Sequence, residues 1–368
     1  MLVLNCLKEN LFKPLQSVVG VVERKHTLPI LSNILVENND GKTALIATDL
    51  ELQITTWMEG KSEQDTAFTV SARKLLDITR SLPDGTALSL DINNDQMRIQ
   101  AGKSRFNLQT LPARDFPKLQ IAEGEGISFQ IGAGKLRNLL ARAQYAMAVQ
   151  DIRYYLNGML FQLQGGKLVV AATDGHRLAV DATVLDGETD KNMELILPRK
   201  TVMELIKLLG EGEDMVTIQA GSNQVMFRHS DFELRSKVVD GKFPDYQRVL
   251  PSGYEKYFDI SRQTLHQALT RAAILTNDKY RGVRFAMTAG SLRIACSNNE
   301  QEEAQEELEI DYKYDPLDIG FNVQYVQDVL NNLDCESVRC SFGDANSSML
   351  ITIPGDENFN YVVMPMRI

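Results

Sequence analysis

Thr173, Asp174, His176 and Arg177 fall within five positions of the stretch AATDGHRLAV (171–180). A hydroxyl, a carboxylate, an imidazole and a guanidinium so close together are the groups from which hydrolytic or phosphoryl-transfer sites are assembled. The same residue types also make a polar turn between two strands. A catalytic constellation needs its groups held in fixed relation by other parts of the chain, so the surrounding elements decide between the two.

The chain carries three copies of one pattern, spaced by about 125 residues, long enough for each copy to be a domain. The line KTALIATDLELQI (42–54) recurs as KLVVAATDGHRLAV (167–180) and as SLRIACSNNEQEEA (291–304). Each has a strand-like run, a small polar turn and a second alternating segment. The sister turns read ATDLEL and CSNNEQ, with neither imidazole nor guanidinium. The Asp therefore sits in a shared strand connection, and Gly175, His176 and Arg177 are what the middle copy adds. No catalytic residue is expected.

Helical spacing recurs as well. VSARKLLDITRSLPD (70–84) matches LPRKTVMELIKLLGE (197–211) and FNVQYVQDVLNNLDC (321–335). Val202, Leu205, Ile206 and Leu209 keep the i, i+3, i+4, i+7 stripe of a helix buried on one face. KENLFKPLQSVVGVV, GAGKLRNLLARAQYAM and SRQTLHQALTRAAILT open the three copies as further helices, the last with Ser261 as N-cap. The copies also end alike, in SRFNLQTLPARDFPKL, SDFELRSKVVDGKFPDY and NFNYVVMPMRI. Gly- and Pro-marked polar connections place domains at 1–122, 123–253 and 254–368. Alternating strands with two helices per copy imply an α+β fold with antiparallel sheet.

No apolar run reaches the roughly 18 residues that cross a bilayer. Lys8 and Glu9 stand where a secretion signal would be apolar. A cytoplasmic protein without a membrane partner is expected. Cys6, Cys296, Cys335 and Cys340 show no paired spacing, so reduced, mostly buried thiols are expected. The scattered histidines give no metal site, and GAGKLRNLL (132–140) lacks half of either glycine-rich nucleotide motif. No cofactor is expected.

The net charge of −10 opposes a polyanionic partner only on average. The six helical segments (8–25, 70–80, 133–142, 198–207, 261–271, 322–334) hold 15 Lys/Arg against 6 Asp/Glu. Basic helices within an acidic exterior suit a protein that surrounds a polyanion without adhering to it elsewhere. The ends differ too: Arg98, Lys103 and Arg105 bracket an apolar-backed strand in the first copy, whereas NNEQEEAQEELEI in the third is acidic. Opposed ends of this kind favour head-to-tail association, which closes into a ring when the rotation permits.

Seven collinear stretches resemble the bacterial DNA polymerase III β-subunit family, the sliding clamps, from end to end. They are HTLPILSNIL (26–35), QDIRYYLNGMLF (150–161), ATDGHRLAV (172–180), FPDYQRVLP (243–251), AAILTNDKYRGVR (272–284), GFNVQYVQDVLN (320–331) and YVVMPMRI (361–368). The resemblance implies three tandem clamp-fold domains, each with antiparallel outer sheets and two inner helices. It implies a homodimeric head-to-tail ring that holds duplex DNA by enclosure and slides without sequence preference. It further implies docking of polymerases, a clamp loader and repair proteins through a short peptide, in the nucleoid-associated cytoplasm.

Carried onto matching positions, the family's DNA contacts are Lys25, Arg73, Gln150, Tyr154, Tyr155, Arg199 and Lys200. Its peptide pocket corresponds to Leu156, Thr173, Gly175, His176, Arg177, Leu178, Pro244, Arg248, Val249, Tyr325, Ser348, Val362, Val363, Met364, Pro365 and Met366. An adaptable apolar floor is expected there, with Arg177 and Arg248 at the rim. The dimer interface corresponds to Lys74, Lys103, Arg105, Phe106 and Leu108 at one end, and to Ile274, Leu275, Glu300, Glu302, Glu303 and Glu306 at the other. The chain departs from the family pattern at Ile368, where Leu is commoner, and within GVVERKH (20–26). A plain DNA-binding protein without enclosure is the remaining alternative; it would leave linear and circular DNA equally fast.

Overall fold

The computed structural model describes residues 2–23, 28–39, 42–58, 66–93, 95–120, 126–185, 191–277 and 279–367. Among these, the order strand, helix, four strands, helix, three strands occurs three times. The helices are α1 (Lys8–Val19), α2 (Ala72–Ser81), α3 (Ala133–Ala141), α4 (Arg199–Leu208), α5 (Arg262–Ala273) and α6 (Val323–Asn332). Ser261 caps α5 as expected, accepting from the Thr264 N–H. The spacing of 132–147 suggests a longer α3 than forms: Gln144–Ala146 is a separate 3-10 turn beyond it.

The helical stripes bury as their spacing requires. Val202, Leu205 and Leu209 lie inside, as do Val326, Val329 and Leu333 of the third repeat, whereas Tyr325 is only half buried. Several helix cations are committed within the fold. Lys8 is buried and donates to the Leu82 carbonyl and Asp84, Arg262 donates to the Cys335 and Leu330 carbonyls, and Lys207 pairs with Glu204. The positive charge presented outward is accordingly smaller than the residue count suggests.

Two compact units divide the chain, one of residues 1–134 with 203–238 and one of 135–202 with 239–368. The first contains a twelve-stranded antiparallel sheet, the second an eight-stranded and a four-stranded sheet. In the first unit, Leu52–Met58 of repeat one pairs antiparallel with Phe232–Lys237 of repeat two, placing Ile54 opposite Leu234. In the second unit the same junction recurs between Arg177–Val184 and Asp356–Val363, with Leu178 opposite Val362. Of the third copies of these strands, one lies at a sheet edge and the other is paired on one side along its length but on the other only at its end. Glu303–Glu309 borders the four-stranded sheet, and Ser104–Pro112 meets Thr66–Ser71 only through its last three residues.

All four cysteines are free; Cys296 and Cys340 are buried, Cys6 and Cys335 partly so. Burial pushes the Cys6 thiol up to about 11. In the second unit, Arg142 reaches both Asp181 (3.4 Å) and Asp356 (3.2 Å). Burial pushes the Asp181 carboxyl up to about 6, against the opposing pull of Arg142 and the Ala182 N–H. The folded chain therefore holds this proton more tightly than the unfolded chain. The resulting stability is complete below about pH 4 and is lost as pH rises through about 6. Asp181→Asn removes the titration. Denaturant unfolding should show the variant gaining on the parent by on the order of 2–3 kcal/mol between pH 4 and pH 7. A gap independent of pH would contradict it.

Candidate functional site

The stretch AATDGHRLAV forms the turn between strands Lys167–Thr173 and Arg177–Val184. Asp174 Oδ1 accepts from the His176 N–H (2.9 Å) and the Arg177 N–H (3.1 Å). Thr173 Oγ1 donates to the Arg177 carbonyl and accepts from the Gly175 N–H. The sister turn repeats this pattern: Asp49 Oδ1 accepts from Glu51 and Leu52, and Thr48 Oγ1 bonds the Leu52 carbonyl and the Leu50 N–H. In the third copy Asn298 Oδ1 accepts from Glu300 and Glu302. The hydroxyl and carboxylate that resemble a catalytic pair are the turn's own hydrogen-bonding groups.

Beside this turn lies a cavity of about 200 Å³. Leu156, Thr173, Gly175, Leu178, Pro244, Val249, Val362 and Met364 line it, as does Arg177. Beneath it Leu160, Leu178, Ile196, Phe243, Tyr246 and Val362 pack as one apolar cluster. The pleat explains the lining: Leu178 and Val362 are cross-strand partners on one sheet face. The chain's last strand is continued along the turn by the Met364 N–H, which donates to the His176 carbonyl, and by the Met366 N–H, which donates to Gly320.

Arg177 does not stand free at the rim. It is largely buried, paired with Asp174 and with Asp328 of α6, and it donates to the Tyr145 carbonyl. Its guanidinium lies 4.5 Å from the centre of the Tyr325 ring, on whose other neighbour, His176, the ring stacks. Arg177 thus ties the second repeat to the third, while Tyr325 and His176 stand outside the cavity lining. Asp328 and Tyr145 lack any motif of their own; only the helical spacing that puts Asp328 three residues from Tyr325 hints at the former. Arg248 is exposed and paired with Asp245, outside the lining. Ser348 contacts the Tyr254 hydroxyl, while Val363, Pro365 and Met366 belong to the tail and not to the cavity wall.

The wall includes two residues from outside the expected pocket set. Tyr155, grouped with the DNA contacts, lines the cavity and packs on its apolar cluster, because the 3-10 turn Tyr154–Leu156 directs successive side chains apart. Tyr154 is 57 % exposed. Arg153, absent from every expected set, also lines the cavity and grips Asp151, holding that carboxyl down to about 2. At Gly175 φ is +90°, which favours glycine, and an added Cβ would come within 3.1 Å of the Arg153 guanidinium. Gln150 is exposed in the left-handed region (φ 55°), on a loop fixed by Asn157 bonding both the N–H and the carbonyl of Asp151.

Of the other expected DNA contacts, Arg73 is exposed and donates to the Val22 carbonyl, whereas Arg199 is half buried and donates to Met147; Lys200 is half buried. Lys25 lies outside the described residues. At the expected interface, Lys74, Lys103 and Arg105 are exposed, Phe106 is half buried and Leu108 buried. Ile274 is 76 % exposed. Leu275 is half buried, and Glu300, Glu302 and Glu303 are exposed. Glu306 is already paired with Arg271 of its own chain.

Three family models cover nearly the whole chain: the DNA polymerase III beta subunit N-terminal (residues 2–120), central (130–245) and C-terminal (247–367) domains. The beta sliding clamp of Pseudomonas putida is 45 % identical over 363 residues, 98 % of each chain. That of Escherichia coli K12 is 44 % identical over 362 residues, again 98 % of each. Among solved structures, the sliding clamp of Pseudomonas aeruginosa bound to griselimycin superposes with a TM-score of 0.95 at 44 % identity, covering both chains fully. The Bartonella birtlesii clamp, also with griselimycin, gives 0.95 at 36 % and the same coverage.

Removing the central cation tests the site's construction. Arg177→Ala would strand Asp174 and Asp328 in a half-buried setting and should cost about 3–5 kcal/mol of stability. Urea unfolding checks it; a loss below about 1 kcal/mol would place Arg177 outside the structural framework.

Proposed function

The chain belongs to the DNA polymerase III beta subunit family, the beta sliding clamps, and on that premise we propose that it is a non-enzymatic processivity factor. Two copies join head to tail in a ring that encircles duplex DNA and tethers polymerases, the clamp loader and repair proteins. The observation that carries this reading is the twice-repeated strand junction. Inside the chain it is made by Leu52–Met58 with Phe232–Lys237 and by Arg177–Val184 with Asp356–Val363. In the third pair of sister strands, Glu303–Glu309 lies at a sheet edge and Ser104–Pro112 leaves residues 104–109 unpaired on one side, and a second copy completes the junction. Charge supports the match: Lys103 and Arg105 make no ion pair among the described residues, and Glu300, Glu302 and Glu303 are exposed. Phe106 and Ile274 supply apolar surface at the two ends.

Topological enclosure replaces affinity in this mechanism. Arg73, Gln150, Tyr154 and Lys200, with Lys25 by resemblance, then need only weak phosphate and groove contacts. The cavity beside Gly175 receives the partner's peptide: Leu178, Val362 and Met364 take its apolar side chains, with Tyr155 in the wall, and the stacked His176 and Tyr325 rings are carried over by resemblance alone. Nucleoid-associated cytoplasm is the setting this role requires.

Loaded on circular duplex DNA, the protein should stay bound and be released when the circle is cut. Arg105→Glu should raise the monomer fraction in sedimentation and shorten retention. Equal loss from circular and linear DNA would contradict enclosure. For the pocket, deletion of residues 364–368 should abolish binding of a Gln- and Leu/Phe-containing peptide while the dimer stays assembled; undiminished binding in a calorimetric titration would move the site elsewhere.

A further inference from the structure

The two junctions inside the chain differ at the end remote from the turn. In the second unit that end is closed by the Arg142, Asp181 and Asp356 network. Counting from shared landmarks gives the sister positions in the first unit. Thr56 follows Asp49 by seven residues, as Asp181 follows Asp174. Ser17 lies nine residues into its helical segment from Lys8, as Arg142 does from Ala133. His229 precedes Phe232 by three, as Asp356 precedes Phe359. A long cation and two carboxylates are thus replaced by a serine, a threonine and a histidine. All three line an open cleft of about 880 Å³ in the first unit.

Its chemistry is specific. Trp57 stands in the wall, 36 % exposed, at the sister position of Ala182, and its indole makes no ring contact among the described residues. The His229 and Phe232 rings, also in the wall, stack on each other at 5.2 Å. Lys13 and Lys42 line the same cleft, both exposed and without an ion pair among the described residues. The carboxylates nearby are engaged: Glu9 accepts from the Gly85 N–H, Glu233 from Arg228 and Arg235, and Asp231 from the Ser230 hydroxyl. An unpaired aromatic face beside two unpaired ammonium groups matches a planar base carrying phosphate.

We propose that this cleft binds nucleotide units of single-stranded DNA, a base against Trp57 and the flanking phosphates on Lys13 and Lys42. The choice of nucleic acid over an acidic peptide rests on the sliding-clamp function. Such a site would hold unpaired template while the ring holds duplex.

Trp57 is the single tryptophan of the chain, so its emission reports on this cleft alone. Titration of the full-length protein with a short oligothymidylate at low salt should quench it saturably, with a log–log salt slope of about −1.4 for two phosphates. Lys13→Ala with Lys42→Ala should weaken binding at least about tenfold and flatten that slope. Trp57→Ala, followed by anisotropy of a labelled oligomer, should weaken it about tenfold. Absent quenching, quenching that survives the double lysine change, equal quenching by polyglutamate, or thymidine monophosphate binding as tightly as the oligomer would each overturn the assignment. None of these requires a loaded ring, so failure here leaves retention on circular duplex as a separate result.

Discussion

A backbone ladder between neighbouring repeats is the interaction on which the rest of this molecule depends. A strand that begins at the polar turn of one repeat exchanges hydrogen bonds with the last strand of the next, converting separate sheets into continuous ones. Such ladders satisfy main-chain groups that an edge would leave to solvent, and an unsatisfied edge is a ready template for a further strand. With three repeats the chain can close two ladders internally. The third is left open, at Glu303–Glu309 and along residues 104–109.

Each internal ladder has two ends, and side chains decide what each end can hold. At the turn end of the second unit, Leu178, Val362 and Met364 give an apolar floor over a packed cluster. In the first unit Gln53, Arg235 and Lys237 take those positions and are bonded to Leu119 and Glu51, so no apolar hollow forms. At the remote end the contrast reverses: charged residues fill the second unit, and small polar ones leave the first unit open. Equivalent backbones thus carry different surfaces because the side chains on the paired faces differ.

Arg177 shows how the pocket is made durable. Its burial would be costly without partners, but two carboxylates, a carbonyl and the Tyr325 ring compensate it. Those partners come from the turn, from the 3-10 segment and from α6. The pocket's shape therefore depends on the second and third repeats being joined.

The sequence alone determined the repeat, the helices and the strand connections, because local periodicity and turn chemistry act over a few residues; Thr173 and Asp174 were legible as turn residues from their sister copies. It also determined, through the long collinear motifs, the family and the neighbourhood of the pocket. Only the tertiary structure decided that Arg177 is held by Asp328, that Tyr155 and Arg153 belong to the cavity wall, and that Glu306 is paired within its own chain. Each of these depends on which distant element packs opposite a side chain. Spacing along one strand or helix carries no record of that.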